Sequence, residues 1–344
     1  MNYDLKGKKP AIPIGSTVLV TGISGYIGSH VADQLLQAGY RVRGTVRDEA
    51  KGEWVRELFA GKYEESQMET IIVADMAQTG AFDEACKGVT GVAHVASDMS
   101  DSPDPNKVIP TVITGALNAL SAAANEPSIK RFVFTSSSTA ILIPSLNEEF
   151  TITTDQWNDA AVAAAWAPPP YTPDRAFTVY AASKTQAERA TWEFIRSKTP
   201  PFAFNAVLPN LNMGTILSPQ QPASTGAAVK TVFETGHVEE IAQRYGPQWM
   251  VDVQDTARLH VAALIDPDVK NQRILAFAHP FNFNDVLACL RKLAPGKNFP
   301  PDVEGLGRDL SRLDNRPGAD LLRKFGRKGW VRLEESVRAN IAEV

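Results

Sequence analysis

The chain has 344 residues, 44% of them hydrophobic and 22% charged, with a formal net charge of −4. That length predicts either two domains or one α/β unit with a substantial appendage, and the apolar content is ample for a core. The dispersed basic residues argue against a nucleic-acid surface or a membrane patch. The two cysteines, Cys86 and Cys289, are expected as reduced core residues, not as a disulfide or metal pair. The N-terminal stretch lacks the apolar centre of a signal peptide, and no apolar run is expected to reach membrane-spanning length, so the expected address is cytoplasmic.

Taken in order, Val18, Leu19 and Val20 have the length and branching of a buried parallel strand. Gly22, Gly25 and Gly28 follow, then apolar residues at Ile27, Val31, Leu35 and Leu36 with helical spacing, and Gly39 as a stop. Strand, glycine turn and helix together make a diphosphate site. Backbone N–H groups at the helix start, around Gly25-Tyr26-Ile27-Gly28, point outward, and the helix dipole adds positive potential. A side chain at Gly22 or Gly25 would hold the diphosphate away, and Gly28 permits close packing of helix on strand. The spacing is G-x-x-G-x-x-G, which departs from the commonest dinucleotide fingerprint.

A second strand is expected over 41–46, ending at Arg47-Asp48, then a charged helix over 49–59. Further strands are expected over 71–75, 91–96 (with His94 inside), 131–135 and 205–209, with a long helix over 106–125. The fifth strand runs into Ser136-Ser137-Ser138. Residues 147–179, with Pro168-Pro169-Pro170 and Pro173, read as a loop-rich excursion, and 213–250 as a second irregular region with one short helix over 227–234. A strand end and helix over 251–265, a strand over 274–278, and helices over 283–293, 319–325 and 333–342 complete the chain. Strands alternating with helices imply a doubly wound parallel sheet covered on both faces.

Tyr180 and Lys184 lie four residues apart in a helical stretch and so share a face. A free tyrosine titrates near 10, and a nearby ammonium lowers that value toward a usable acid or base. Ser137 ends a parallel strand at the carboxyl edge, where such sheets bind ligands, and its hydroxyl suits a carbonyl oxygen. The plainer readings are a surface Tyr–Lys pair and serines that cap a turn. His94 is expected in the core, while His237, His260 and His279 have no partner at metal-ligand spacing and are expected at solvent or on helix surfaces. Trp166, Tyr245, Gln248, Trp249 and Met250 lie in the irregular regions, where an apolar substrate pocket can form. Ser138, Tyr245, Gln248 and Trp249 are its candidates.

The T-G-x-x-G-x-x-G loop, the strand ending in three serines and the Y-x-x-x-K helix resemble the extended short-chain dehydrogenase/reductase superfamily. Segments 40–47, 134–137, 180–188 and 205–210 are similar to the branch holding dihydroflavonol reductases, cinnamoyl-CoA reductases and fungal NADPH-dependent aldehyde reductases. The likeness to the last runs from about Gly15 onward and includes Gly329-Trp330 and Glu334-Glu335-Ser336. The resemblance implies a Rossmann-type sheet over 12–212, with returns near 251–278, and a smaller, mostly C-terminal substrate lobe from 213–250 and 279–344. It also implies roles. Tyr180 gives a proton to the carbonyl oxygen, Lys184 holds the nicotinamide ribose and depresses the Tyr180 pKa, and Ser137 binds the oxygen. Gly22, Gly25, Tyr26, Ile27 and Gly28 cradle the diphosphate. Asp75 meets the adenine and Met76 also touches the cofactor. Ala96 and Ser97 pass along it, and Pro209 borders the nicotinamide. A small-molecule carbonyl compound is the implied substrate, and the branch contains monomers and homodimers.

At the end of the second strand a carboxylate selects NAD and an arginine selects NADP. Both occur, as Arg47 and Asp48, with Lys51 one turn on. NADPH is favoured, with Asp48 capping the next helix. A sugar-nucleotide epimerase or dehydratase, and a dinucleotide sensor without enzymatic activity, share the fold. The dehydratases carry an acidic pair beside the active-site hydroxyl, where this chain has Ser138 and Thr139, and sensors commonly lose the tyrosine or lysine that this chain keeps.

Overall fold

A computed structural model of the chain describes residues 3–221 and 223–342. Short β-branched runs alternate with helices through the first 209 residues: β1 (Thr17–Thr21), α1 (Tyr26–Gln37), β2 (Arg41–Val46), α2 (Glu49–Ala60), β3 (Met68–Ile72), α3 (Asp83–Cys86), β4 (Gly91–His94), α4 (Pro105–Asn125), β5 (Arg131–Thr135), α5 (Asp159–Ala165), α6 (Ala176–Lys198) and β6 (Ala203–Pro209). The remainder forms β7 (Leu211–Met213), α7 (Gly226–Thr235), α8 (Val238–Tyr245), β8 (Gln248–Asp252), α9 (Val253–Ile265), β9 (Arg273–Ala276), β10 (His279–Phe281), α10 (Phe283–Leu293), α11 (Arg316–Lys324) and α12 (Leu333–Ile341). Seven strands make one parallel sheet in the order β3-β2-β1-β4-β5-β6-β9. This is the expected α/β, Rossmann-type, doubly wound arrangement, with its topological switch between β1 and β4.

Successive strand residues serve opposite faces. Val18 and Val20 of β1, Ala93 of β4, Val133 of β5 and Val207 of β6 join one core, together with α1 and α9. Leu19, Val92, Phe132, Phe134 and Leu208 join the other, together with α4 and α6. With both faces covered, the central strands read as continuous apolar runs.

Several elements differ from the pattern-based expectation. Strand β3 is Met68–Ile72, not 71–75. It is an edge strand paired only with β2, so it needs no unbroken apolar run, and Ile72 is half exposed. Strand β4 stops at His94, two residues early, because the N–H groups of Val95 and Ala96 turn onto Thr21 Oγ1 at 3.0 Å each. The region expected to be irregular over 213–250 contains α7, α8 and part of a second sheet, β10-β8-β7, in which β8 runs antiparallel to β10 and parallel to β7. Its strands are five residues or fewer, too short to show a period. The loop-rich excursion likewise holds α5, capped by Asn158, whose Oδ1 accepts from the Ala161 N–H at 3.0 Å. Contrary to the expectation that no apolar run reaches membrane-spanning length, helix α4 is long and apolar enough by length and composition alone; half of its apolar window is buried against the sheet and α6. Cys86 is buried and Cys289 half-buried, both as free thiols.

The second sheet is tied to α9 and α12 at Asp252, which ends β8 and caps α9. Its Oδ1 accepts from the Gln254 N–H at 2.9 Å and its Oδ2 from the Ser336 hydroxyl of α12 at 2.8 Å. Burial, with the charge of Asp255, pushes this carboxyl up to about 6. An unfolded aspartate titrates near 3.9. The folded chain therefore holds this proton more tightly, so the stability it contributes is complete below about pH 4 and is lost as pH rises through about 6. We expect the wild-type unfolding free energy, from urea titration, to fall across that window by about 2–3 kcal/mol. Asp252→Asn, which keeps the cap oxygen, flattens the decline; equal slopes in both proteins would refute it.

Candidate active site

The glycine turn follows β1 directly. Gly22 has φ +65°, and a Cβ there would lie 3.0 Å from the Ala96 Cα. A Cβ on Gly28 would sit 2.3 Å from the Gly22 carbonyl oxygen, and one on Gly25 3.2 Å from the same atom. All three positions thus serve the turn's own closure. Helix α1 begins at Gly25 with no side-chain cap, which leaves its first N–H groups, from Tyr26, Ile27 and Gly28, for an anion. The Tyr26 side chain turns inward: its hydroxyl donates to the Gly214 carbonyl at 2.8 Å, and only its backbone faces the turn's outer side. Thr45 of β2 braces the turn, with its Oγ1 accepting from the Gly22 N–H at 3.1 Å.

The rim of this cleft has unspent polar groups. Ser97 Oγ is buried with no partner among the described residues. Arg47, just past β2, is exposed, and no other described residue bonds its guanidinium, whereas Arg43 within β2 is committed to Glu69 at 2.6 Å and to the carbonyls of Ala85 and Lys87. Asp48 caps α2 as expected, accepting from the Lys51 N–H at 2.9 Å, and the Lys51 ammonium stands 3.9 Å from it. Asp75 is exposed and accepts from the Ala77 N–H at 2.8 Å. Met76 packs against Gly115 of α4, and its carbonyl accepts from Asn118 at 3.0 Å. Pro209 is buried at the end of β6 beside Ala276.

Ser137, Tyr180 and Lys184 converge beyond the ends of β5 and β4. Ser137 is buried, and its Oγ accepts from the Thr139 N–H at 3.2 Å and from the Thr139 hydroxyl at 3.0 Å. With both lone pairs engaged, its own proton is free for an oxygen in front of it. The Tyr180 phenol stands beside it, near enough for the Ser137 hydroxyl to favour the phenolate. Lys184 Nζ donates to the Thr135 carbonyl at 3.3 Å. Burial pushes the ammonium down to about 8, with Glu188 opposing. The Tyr180 phenol is raised, first by burial and further by the Asp101 carboxylate, against the pull of Ser137. The expected depression by Lys184 is not seen: burial disfavours the phenolate, the opposing pull comes from Ser137, and the phenol keeps its proton at neutral pH.

His94 is a core residue of β4. Thr21 Oγ1 accepts from two N–H groups, so its hydroxyl donates to His94 Nδ1 at 3.1 Å, and burial holds the ring neutral, at about 3. His260 is not at a surface, as expected from its helix, but fully buried. Its Nδ1 donates to the Thr256 carbonyl at 2.8 Å and its Nε2 accepts from the Thr135 hydroxyl at 2.7 Å, tying α9 to β5. Trp249 is also buried, with its indole N–H on the Ser311 hydroxyl at 2.9 Å and its ring edge-on to Phe277. Ser138, Tyr245 and Gln248 stay half-buried, and the Gln248 amide donates to the Tyr245 carbonyl. The motif search missed the Asp101–Arg244 ion pair at 2.9 Å, which spans from the loop after β4 to α8. No local signal reveals a pair 143 residues apart.

Residues 18–276 match the model of the NAD dependent epimerase/dehydratase family. An aldehyde reductase 2 of Sporidiobolus salmonicolor is 43% identical, over 95% of each chain. A protein of Aspergillus terreus named an NAD-dependent epimerase/dehydratase is 41% identical over 94% of this chain and 96% of its own, and a ketoreductase of Aspergillus novofumigatus 34% identical over 97% and 98%. Among solved structures, Gre2 of Candida albicans in complex with NADPH superposes with a TM-score of 0.79 at 26% identity, covering 95% of this chain and 97% of that one.

The tightest constraint here is at Gly28. Gly28→Ala forces the turn and α1 apart and is expected to cost about 1–3 kcal/mol in urea unfolding; a midpoint equal to wild type would show that the turn yields.

Proposed function

The chain belongs to the NAD dependent epimerase/dehydratase family, the extended short-chain dehydrogenases/reductases, and within it we propose that this protein is a cytosolic oxidoreductase that reduces an aldehyde or ketone to the alcohol with NADPH. The observation that carries the reading is the pairing of a neutral Tyr180 phenol with a Ser137 hydroxyl whose lone pairs are already taken, beside the Lys184 ammonium. That set suits a carbonyl oxygen, which accepts from Ser137 and receives a proton from Tyr180 as charge develops on it.

The residues present fit a dinucleotide. The uncapped start of α1 and the closed glycine turn suit its diphosphate, the unpartnered Ser97 hydroxyl its flank, and the unbonded Arg47 guanidinium, with Lys51, a ribose 2′-phosphate. When bound, NADPH supplies a hydride to the carbonyl carbon. Tyr180 gives its proton to the oxygen, and the phenolate left behind is stabilised by Lys184 and by the Ser137 hydroxyl. Ser138, Tyr245 and Gln248 border the substrate. Trp249, held in the core, shapes the pocket from behind. A dehydratase reading is disfavoured because Ser138 and Thr139 supply no carboxylate, and Thr139 is spent on Ser137.

The test is consumption of NADPH, followed by absorbance, against a panel of aldehydes, ketones and β-keto esters. Tyr180→Phe is expected to lower kcat by about 100-fold or more, with NADPH affinity kept. No turnover of any carbonyl despite tight NADPH binding would favour a sensor. Arg47→Ala is expected to raise KM for NADPH about tenfold or more, the loss of one charge-assisted contact to phosphate, with KM for NADH almost unchanged. Equal effects on the two cofactors would defeat the 2′-phosphate assignment.

A further inference from the structure

Helix α6 carries a third functional group on the stripe that begins with Tyr180 and Lys184. Glu188, one turn beyond Lys184, is wholly buried. Its Oε2 accepts from the Ser136 hydroxyl at 2.7 Å and its Oε1 from the Trp192 indole N–H at 3.0 Å. Arg273 of β9 grips both oxygens, with Nε at 2.7 Å from Oε1 and Nη2 at 3.0 Å from Oε2. Arg273 also donates to the carbonyls of Thr154 and Gln156 at 2.7 Å each and lies over the Trp157 ring at 4.0 Å. These four bonds fill the lone-pair sites of the carboxylate. Ser136 is the residue before Ser137, so one carboxylate joins the strand end that bears Ser137 to the helix that bears Tyr180 and Lys184.

A buried ion pair of this kind is poorly explained by stability, because an apolar pair of similar volume often serves as well. We propose that Glu188 is the positioning residue of the Ser137–Tyr180–Lys184 group, locking the end of β5 against α6 and supplying the negative charge that supports the Lys184 ammonium. This rests on the reductase reading above. The groups facing Lys184 are Glu188 and Tyr180 on its own helix, the neutral His94 on β4 and the Thr135 carbonyl on β5; Arg273 on β9 is the ion-pair partner of Glu188, and it is the Glu188 carboxylate that acts on Lys184.

Glu188→Gln alone leaves Arg273 buried and unpaired and is expected to be unstable, so the deciding variant is Glu188→Gln with Arg273→Met, in which no charge is stranded. It is expected to unfold in urea near the wild-type midpoint, yet to lose about 100-fold in kcat with KM for NADPH little changed. The alkaline limb of the wild-type rate profile is expected near pH 8, where Lys184 loses its proton, and that of the double variant about one unit lower. Ser136→Ala, which removes a single bond, lowers kcat alone and leaves the limb in place. A double variant with wild-type kcat and an unmoved limb would overturn the proposal and leave Glu188 a purely structural residue. A wild-type enzyme that turns over no carbonyl compound would instead defeat the reductase reading, and Trp-fluorescence titration with NADPH against pH would still report whether the limb moves.

Discussion

Seven parallel strands must all end at the same edge of their sheet, and the candidate site is a consequence of that constraint. The turn after β1 provides Gly22, the end of β2 leads to Arg47, the segment after β4 carries Ala96 and Ser97, β5 runs into Ser137 and β6 ends at Pro209. No single segment holds more than a fraction of the chemistry. The connection of each strand to the next through a covering helix returns the chain to the opposite edge, so every new strand delivers its carboxyl end to the same cleft.

Hydroxyl groups splice the ends of neighbouring strands where the ladder stops. Thr21 takes the N–H groups of Val95 and Ala96 and so sets where β4 leaves the sheet. Thr45 takes the Gly22 N–H and holds the turn to β2. Thr135 gives its proton to His260 and its carbonyl to Lys184. Backbone groups just past a sheet lose their ladder partners, and buried ones need replacements. These threonines supply them while keeping the cleft open between β1 and β4.

The charges behind the cleft follow a different logic from those at its rim. Rim groups such as Arg47 and Lys51 sit in water, where an ionic ligand exchanges one hydrated state for another at modest cost. Lys184 and the Glu188–Arg273 pair are buried, where a charge without partners is expensive. Burial draws the ammonium down and the phenol up, so two groups of nearly equal acidity when free are driven apart. A neutral phenol beside a cation that holds its charge only up to mildly alkaline pH is the arrangement a proton donor requires.

The sequence by itself determined the class of the fold, the strand–glycine–helix unit and the spacing of Tyr180 and Lys184, because each rests on interactions between residues a few positions apart. Helix 283–293 and strands 41–46 and 131–135 were likewise legible from local pattern alone. The second sheet, α8 and the early position of β3 were not, since short or edge strands are fixed by what they pair with. Only the tertiary structure decided that Tyr26 and Trp249 turn into the core, that His260 is buried and that Glu188 meets Arg273 across 85 residues. Glu188 lay in plain view at helical spacing from Lys184, but spacing shows which face a side chain occupies and not what lies opposite it. The acidity of Tyr180 escaped the sequence for the same reason: a neighbouring lysine can be counted, whereas desolvation depends on everything packed around the ring.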